Sequence, residues 1–435
     1  MFKKYMFFLI LIFALFGCGT DYFYSSFYLR KDFEWPTSPS RQLTLNETSR
    51  VTGGITFNEF NSPAIVATKQ DYILVFYENV SSLTALSDVR SINGSRSVAV
   101  NVSITKNAYN FDDVDLVVGK GGSFYGAPIA FVNKNNEVIV LATGGYGFTG
   151  TGGDSKIGIT ISTNNGYDWT TWTNLDAKVF EPIKQSYDRF YTTSGTGTIL
   201  GNGILACMID CRKGAGTDAQ GAAILYSDND GKDWKIGANM TYSGSYRFAR
   251  IIAERTDGSL LIAAVPNTTG GTTYTATSDL SFYVANSVDG NISPLTVTGL
   301  PLNNGGNVSG SRIKYSHNGQ SKYGIILLHS SPNRKYYNNN GDLREVTNAM
   351  SISISENDGQ SWTLITNAIA TETPKEFPEK AVFRQSMYVL RDGSIATATE
   401  ESVEREVSTS KAMYITFRRF GLGAISYGKY VYEGL

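Results

Sequence analysis

The sequence predicts an all-β protein folded as a six-bladed β-propeller. First, the motif S-x-[DN]-[DN]-G-x-x-W occurs three times, and its copies begin at Ser162, Ser227 and Ser355, 65 and then 128 residues apart. Second, each copy follows short apolar runs separated by Gly, Asn and Asp. Third, about 390 residues follow Leu43, which is enough for six units of about 65 residues. Short strands in a long repeat are typical of a propeller, in which each unit is one four-stranded blade.

The apolar runs supply the strands of each blade. APIAFV, EVIVLAT and KIGITIS precede the first motif, and GTILG, GILACMI and GAAILYS precede the second. Each run has the length or the alternation of a strand, and helical periodicity is not sustained. A degenerate copy of the motif, ITKNAYNF, occupies residues 104–111, and NSVDGN at 286–291 falls where a missing copy belongs.

The repeated motif predicts a hairpin turn. Asp or Asn beside Gly suits a tight turn, since the short polar side chain bonds the turn amides and Gly supplies positive φ. The Trp three residues after the Gly can fold back and bury its ring. For Asp228 and Asp230 the functional alternatives are a calcium loop or a catalytic carboxylate pair. No Glu completes a calcium loop at the required spacing, and a catalytic pair need not repeat in every blade, so we favour the structural interpretation.

Composition excludes some functions. The 435 residues are 41% hydrophobic and 12% aromatic, which permits a large core and argues against a disordered chain. The 39 acidic and 38 basic residues nearly balance, without a basic run beyond short pairs. We therefore expect no nucleic-acid partner.

The N-terminus predicts export. MFKKYMFFLILIFALFGC has two lysines, then an apolar run too short to span a membrane, then Gly17 and Cys18. This is the layout of a secretory signal, and LFGC resembles a bacterial lipobox, in which Cys18 would be lipidated. We predict a signal at 1–18, a tether at 19–45 and the propeller at 46–435, in an exported lipoprotein held in the membrane by its lipid. A plain cleaved signal is the alternative.

The remaining cysteines and histidines do not indicate a metal site. Residues four apart on a strand, such as Cys207 and Cys211, lie beyond disulfide reach unless the chain turns between them. His317 and His329 lie more than 100 residues downstream without a paired spacing. We predict buried thiols and no metal.

From about residue 55 to 420 the sequence resembles the sialidase (neuraminidase) family, whose members are six-bladed propellers. The three motifs resemble the family's Asp boxes. GAPIAFVNKNNEVIVLAT and FYTTSGTGTILGNGILACMI are similar to its second blade and its Gly-rich strand pair, and YGIILLHSSPNR and SMYVLRDGSIATATEE continue the resemblance.

The resemblance implies retaining hydrolysis of terminal sialic acid without a cofactor or metal. Three arginines would bind the substrate carboxylate, a Tyr with a Glu partner would be the nucleophile, and an Asp would be the general acid and base.

Only part of this machinery has a counterpart here. Asp88 matches the acid/base, with Arg90 beside it, Arg344 is a candidate for the third arginine, and Glu400 matches the residue that orients the first arginine. The other positions differ. Asn61-Ser62-Pro63 stands where the family has its first Arg-Ile-Pro, and Ala249 stands in place of the Glu. Val265 and Pro266 stand where the second arginine is expected, and Arg384 stands in place of the Tyr.

Substitutes are available in the sequence. Arg384, Arg90 or Arg247 could bind the carboxylate in a rearranged pocket, and Tyr388 or Tyr246 could replace the nucleophile. The alternative for the tyrosines is a place in the core or rim, and for Asp88, Arg344 and Glu400 a solvated charge on a blade edge.

Three hypotheses follow. The chain is a surface lipoprotein acting on sialylated glycans as a retaining exo-α-sialidase, or a non-catalytic propeller that binds sialylated or other host glycans, or an adhesive or structural scaffold.

Overall fold

The structure is a computed structural model, and it describes most of the chain from residue 59 onward. The described residues are 41–42, 59–80, 98–106, 108, 111, 113–121, 125–148, 150, 154–216, 218–244, 246–266, 280–300, 307–331, 334–337, 343–346, 349–367, 380–403 and 412–434.

These residues are almost entirely β-strand. In chain order the strands are β1 (Arg41–Gln42), β2 (Glu59–Ala67), β3 (Ile73–Val80), β4 (Val98–Thr105), β5 (Asp113–Val117), β6 (Tyr125–Val132), β7 (Val138–Gly145), β8 (Ser155–Ser162), β9 (Thr173–Asn174), β10 (Arg189–Thr192), β11 (Gly195–Thr196), β12 (Thr198–Ile199), β13 (Leu205–Arg212), β14 (Gly221–Ser227), β15 (Lys235–Thr241), β16 (Tyr246–Glu254), β17 (Leu260–Pro266), β18 (Ser281–Ala285), β19 (Ile292–Leu295), β20 (Ser309–His317), β21 (Gln320–Ser331), β22 (Arg334–Tyr337), β23 (Leu343–Val346), β24 (Ala349–Ser355), β25 (Thr363–Asn367), β26 (Lys380–Val389), β27 (Ser394–Val403), β28 (Ala412–Gly421) and β29 (Tyr430–Gly434). A 3-10 helix at Ala177–Ile183 and a short α-helix, α1 (Leu422–Ile425), complete the described elements.

The described strands form six sheets of four or five strands, which are the blades, and one separate hairpin of β22 and β23. Blade 1 is β2–β5, blade 2 is β6–β9 with β11, blade 3 is β10 with β12–β15, blade 4 is β16–β19, blade 5 is β20, β21, β24, β25 and β29, and blade 6 is β26–β28 with β1. The predicted six-bladed propeller is confirmed, and the runs proposed as strands around the first two motifs coincide with β6–β8 and β12–β14.

Both ends of the chain add strands to late blades. β1 pairs with β28, the third strand of blade 6, so two residues of the segment predicted as a tether belong to a sheet. β29 pairs with β20, the first strand of blade 5. Apolar side chains of blades 1 and 6, including Phe60, Val75 and Phe417, form one buried cluster and close the ring. Among the described residues, no helix has the length and apolar character needed to cross a membrane.

The repeated motif forms the same turn three times. In the second copy Ser227 Oγ accepts hydrogen bonds from the backbone N–H of Gly231 at 2.9 Å and of Asn229 at 3.4 Å. Asp230 and Gly231 have φ of 65° and 88°, and Trp234 is 5% exposed. Equivalent bonds to Ser162 Oγ and Ser355 Oγ form the other two turns. The predicted positive φ and buried Trp are confirmed, and the hydrogen bonds give these residues a structural role.

Each turn also packs on the preceding blade. A Cβ built on Gly231 would lie 2.4 Å from Ile139 of blade 2, and Lys134 Nζ of blade 2 lies 2.9 Å from Asp230 Oδ2. In blade 5, Asp358 accepts hydrogen bonds from the N–H and hydroxyl of Thr256 in blade 4. The turns therefore join neighbouring blades.

We expect the Ser227→Ala substitution to lower the free energy of unfolding by about 2 kcal/mol, since it leaves the buried Gly231 N–H without its acceptor. Urea denaturation of the purified protein measures this change. Asp228→Ala is the matched control, because its carboxylate is 45% exposed and pairs with the exposed Lys235. Equal effects of the two substitutions would contradict the structural role of Ser227.

Candidate functional site

The first strands of four blades are irregular at the same end. We call the face at which the first strand of each blade begins the upper face. The region of this face where the first strands meet is called the upper opening. The first strands of blades 1, 2, 4 and 6 each have a register shift near this face. Ser62, Ala127 and Phe248 adopt φ of 57°, 52° and 53° at three of the shifts. Such bulges redirect side chains at rims and beside functional sites.

Three of the bulges are held by buried carboxylates from the preceding blade. In each case a carboxylate on the second strand of one blade accepts a backbone N–H from the first strand of the next, which is a strong, charge-assisted hydrogen bond. The pairs are Glu78 with the N–H of Ala127, Asp210 with the N–H of Phe248 (2.7 Å) and Glu400 with the N–H of Ser62 (2.9 Å).

Arg384 is a predicted site residue that the structure places at the upper opening. Its Nη1 donates to Ser62 Oγ at 2.6 Å and lies 3.7 Å from Glu400 Oε2. Its side chain is 13% exposed and that of Glu400 is 5% exposed. Glu400, which was predicted to match the residue that orients the first arginine, therefore lies beside the guanidinium of Arg384 from the same blade.

Blade 4 adds a second arginine and an aromatic ring. The Cζ atoms of Arg247 and Arg384 lie 4.9 Å and 5.2 Å from the centroid of the Phe248 ring, within the range of a cation–π contact. Asp210 fixes this part of the backbone, since it accepts hydrogen bonds from the N–H of Phe248 and Ala249 and from the Tyr242 hydroxyl.

A third arginine lies beneath these two. Arg250 is 5% exposed, and its Nη1 donates to the carbonyl oxygens of Val308 at 2.8 Å and Gln385 at 2.9 Å. Its Nη2 donates to Thr193 O and Ser194 Oγ, both at 3.1 Å. Burial and then the neighbouring Arg384 lower the pKa of Arg250 to about 9, so the side chain stays protonated at neutral pH.

The chain between β10 and β13 crosses the axis beside Arg250. The strand β11 pairs in parallel with β6 of blade 2. Thr196 Oγ1 donates to Ile65 O of blade 1 at 2.6 Å and lies 3.1 Å from Met387 O of blade 6. Gly195 has φ of 108°, and a Cβ built there would lie 2.6 Å from Arg250 Cζ. This segment and Arg250 therefore join strands of blades 1, 2, 4 and 6.

The other predicted site residues are only partly described. Asp88, Arg90 and Cys18 lie outside the described residues. Arg344 lies on β23, in the hairpin separate from the six blades, and pairs in register with Tyr336. Of the positions that lack the expected catalytic residue, Ala249 and Val265 are fully buried.

The substitute tyrosines lie in apolar surroundings. Tyr388 packs against the clusters between blades 1 and 2 and between blades 6 and 1, and burial raises its pKa. Tyr246 packs against the cluster of blades 3 and 4 and contacts the Tyr242 ring, with centroids 5.7 Å apart. These contacts fit the core interpretation of both tyrosines.

The thiols and histidines are structural where described. Cys207 and Cys211 are buried, unpaired residues of the continuous strand β13, and burial raises the pKa of both. In the described part of the chain no three His, Cys, Asp or Glu side chains cluster as metal ligands. His329 is fully buried, with Nδ1 2.9 Å from Ser330 O and Nε2 2.9 Å from Ser353 Oγ. Because a carbonyl can only accept, Nδ1 carries the proton and Nε2 accepts from the hydroxyl.

We expect His329 to make the fold sensitive to mild acid. Burial lowers its pKa to about 4, against about 6.5 in an unfolded chain, so its contribution to stability is complete above about pH 6.5 and is lost as the pH falls towards 4. The loss should reach about 2 kcal/mol at pH 5. Urea denaturation at pH 7 and pH 5 of the wild type and of His329→Gln measures it.

The other histidine of the chain provides the control. His317→Gln retains His329 and should keep most of the fall between pH 7 and pH 5, whereas His329→Gln should reduce it. A wild-type fall that persists unchanged in His329→Gln would contradict the assignment.

Glu78, Asp210 and Arg250 were not predicted from the sequence. Each is a charged residue at an interior position of a largely apolar strand, in ILVFYENV, LACMIDCR and YRFARIIAE. Charged side chains are rarely buried without partners, so this pattern could have identified them as interior polar contacts. The pattern could not reveal their hydrogen-bond partners in other blades, such as the N–H of Ala127 and Phe248 and the carbonyl oxygen of Gln385.

Solved structures of sialidases share this fold. The chain is similar to Hadza microbial sialidase Hz136, with a TM-score of 0.56 and 15% identity over 84% of this chain and 66% of that one. For Trypanosoma rangeli sialidase in complex with sialic acid the TM-score is 0.59 at 13% identity, and the match covers 90% of this chain and 60% of that one. For the intramolecular trans-sialidase from Ruminococcus gnavus in complex with oseltamivir carboxylate the TM-score is 0.57 at 13% identity, and the match covers 84% of this chain and 95% of that one.

At these identities the likeness confirms the sialidase-type propeller and nothing finer. The chain spans 66% of the length of the Hadza protein and 60% of the T. rangeli protein. A scan against protein-family models found no match, and a search of curated protein sequences found no significant match.

Proposed function

We propose that this sialidase-type propeller binds sialylated or related acidic glycans at its upper opening without hydrolysing them through a tyrosine nucleophile. The observation that carries the proposal is the position of Arg384, which Ser62 and Glu400 hold over Phe248. A guanidinium matches a carboxylate in shape and charge, and sialic acid carries a carboxylate. A similar propeller, that of Trypanosoma rangeli sialidase, has been solved with sialic acid.

Two positions favour binding over hydrolysis. Arg384 occupies the position at which the family resemblance expects the nucleophilic tyrosine, and the buried Ala249 occupies that of its Glu partner. An arginine is protonated at neutral pH and cannot attack the anomeric carbon. The tyrosine mechanism therefore has neither its nucleophile nor its base on these strands.

Hydrolysis as a retaining exo-α-sialidase is the second candidate function. The extended likeness to sialidase folds favours it, over 84% to 90% of the chain. In this candidate Asp88 would be the acid/base, Arg90, Arg344 and Arg384 would hold the substrate, and Glu400 would support Arg384. Another nucleophile would then be required.

Calorimetry with the purified full-length protein tests these proposals, using 3′-sialyllactose, 6′-sialyllactose and lactose as ligands. We expect saturable binding of a sialyllactose, none of lactose, and no release of 4-methylumbelliferone from its sialoside. Release that is lost in Asp88→Asn would support the second candidate instead. Absence of saturable binding and of release would reject both and favour a scaffold role.

We also propose that the protein is exported and anchored by a lipid on Cys18. The support is the sequence of residues 1–18, with its lysines, short apolar run and LFGC. We expect the protein expressed in a bacterium to incorporate palmitate and to enter the detergent phase of Triton X-114, and Cys18→Ala to do neither. Cys207→Ala, at a buried position of β13, should behave as the wild type. Labelling that persists in Cys18→Ala would contradict the proposal.

A further inference from the structure

The charge of Arg250 is buried against uncharged partners. The four oxygen atoms that accept its hydrogen bonds belong to three backbone carbonyls and one serine hydroxyl. A buried cation without a contacting carboxylate is costly, because neutral oxygens only partly replace its hydration. This cost suggests that the charge has a use beyond joining the blades.

The surroundings of Arg250 place this charge directly below the upper opening. Its guanidinium bonds the carbonyl of Gln385, the residue after Arg384, and Arg250 follows Phe248 by two residues on β16. The charged groups that act on it are Arg384 from blade 6, which repels it, and Asp210 from blade 3, which attracts it. Asp210 also accepts the hydrogen bonds of Phe248, Ala249 and Tyr242. The oxygens that the segment crossing the axis and Val308, just before blade 5, direct at Arg250 are neutral.

We propose that Arg250 is a specificity-determining residue, a fixed buried cation that raises the preference of the upper opening for anionic over neutral glycans without touching the ligand. This inference rests on the proposed glycan-binding function. Two unit charges about 10 Å apart at an effective dielectric constant of about 20 attract strongly enough to change an affinity roughly ten- to twenty-fold. The effect should act on the acid and not on its neutral analogue.

The test compares two ligands and two variants by isothermal titration calorimetry. The ligands are sialyllactose and its methyl ester, which has the same shape without the charge. Arg250→Gln removes the charge and keeps part of the hydrogen bonding. Arg250→Lys keeps the charge and loses the planar guanidinium with its two donating Nη atoms. We expect Arg250→Gln to lower the acid-to-ester affinity ratio about ten-fold and Arg250→Lys to leave it near the wild-type value. Both should lower the melting temperature, since both lose bonds to the carbonyl oxygens.

The outcomes separate the electrostatic role from a structural one. If the ratio in Arg250→Gln equals that in the wild type, Arg250 is only a structural tie and the inference fails while the proposed function stands. If the wild type binds neither ligand, the proposed function fails and this inference with it. Asp210→Asn keeps the test decisive if Arg250→Gln does not fold. This substitution removes the negative charge of Asp210 and should raise the acid-to-ester affinity ratio. An unchanged or lower ratio would overturn the inference.

Discussion

Arg384→Met should weaken the binding of sialyllactose about 10- to 100-fold. The wild-type guanidinium is held by Ser62 and Glu400 at the upper opening, and a charge-assisted hydrogen bond to a ligand carboxylate is worth about 1.5–3 kcal/mol. Methionine has a similar length and no donor, so it removes the bond with little change in volume. Isothermal titration calorimetry measures the change.

Two further variants isolate the reason. Arg384→Lys keeps the charge but not the planar fork, so its affinity should fall between those of the wild type and Arg384→Met. Arg391→Met is the matched control, because Arg391 belongs to the same blade but is 65% exposed beside Asp71. Its affinity should equal that of the wild type. Wild-type affinity in a folded Arg384→Met would remove Arg384 from the site.

Gly195→Ala should lower the free energy of unfolding by about 3 kcal/mol or prevent folding. Its φ of 108° is strained for alanine, and the new Cβ would lie 2.6 Å from both Cζ and Nη1 of Arg250. Arg250 cannot move away without losing bonds to the carbonyl oxygens of Val308, Gln385 and Thr193. Urea denaturation measures the loss.

Gly203→Ala separates the two causes of this loss. Gly203 has φ of 86°, but a Cβ built there meets nothing within 4 Å, so its substitution tests the backbone strain alone. We expect it to cost about 1 kcal/mol. Equal costs for the two substitutions would show that the guanidinium of Arg250 does not fill the space beside Gly195.

The fold was predictable because its determinants are local. Ser227, Gly231 and Trp234 form their turn within eight residues, so their spacing identifies the turn, and three such turns at related intervals count the blades. The period-two alternation of strands such as β8 is likewise a property of neighbouring residues.

The candidate site was only partly predictable. Arg384 and Glu400 were candidates through their positions in the family resemblance, and the structure brings them together at 3.7 Å. Their partner Ser62 is 322 residues from Arg384 along the chain, and the acceptors of Arg250 are 56 to 135 residues away from it. Spacing along the sequence contains no information on such contacts.

The sequence by itself thus determined the propeller, its blade number and its turns, since these follow from hydrogen bonds and alternation among near neighbours. Only the tertiary structure decided that arginines from blades 4 and 6 meet at the upper opening and that Arg250 lies buried beneath them. The physical reason is that closing the ring of blades brings distant strands to one axis. There the guanidinium of Arg250 bonds whichever oxygen atoms the closure brings within reach.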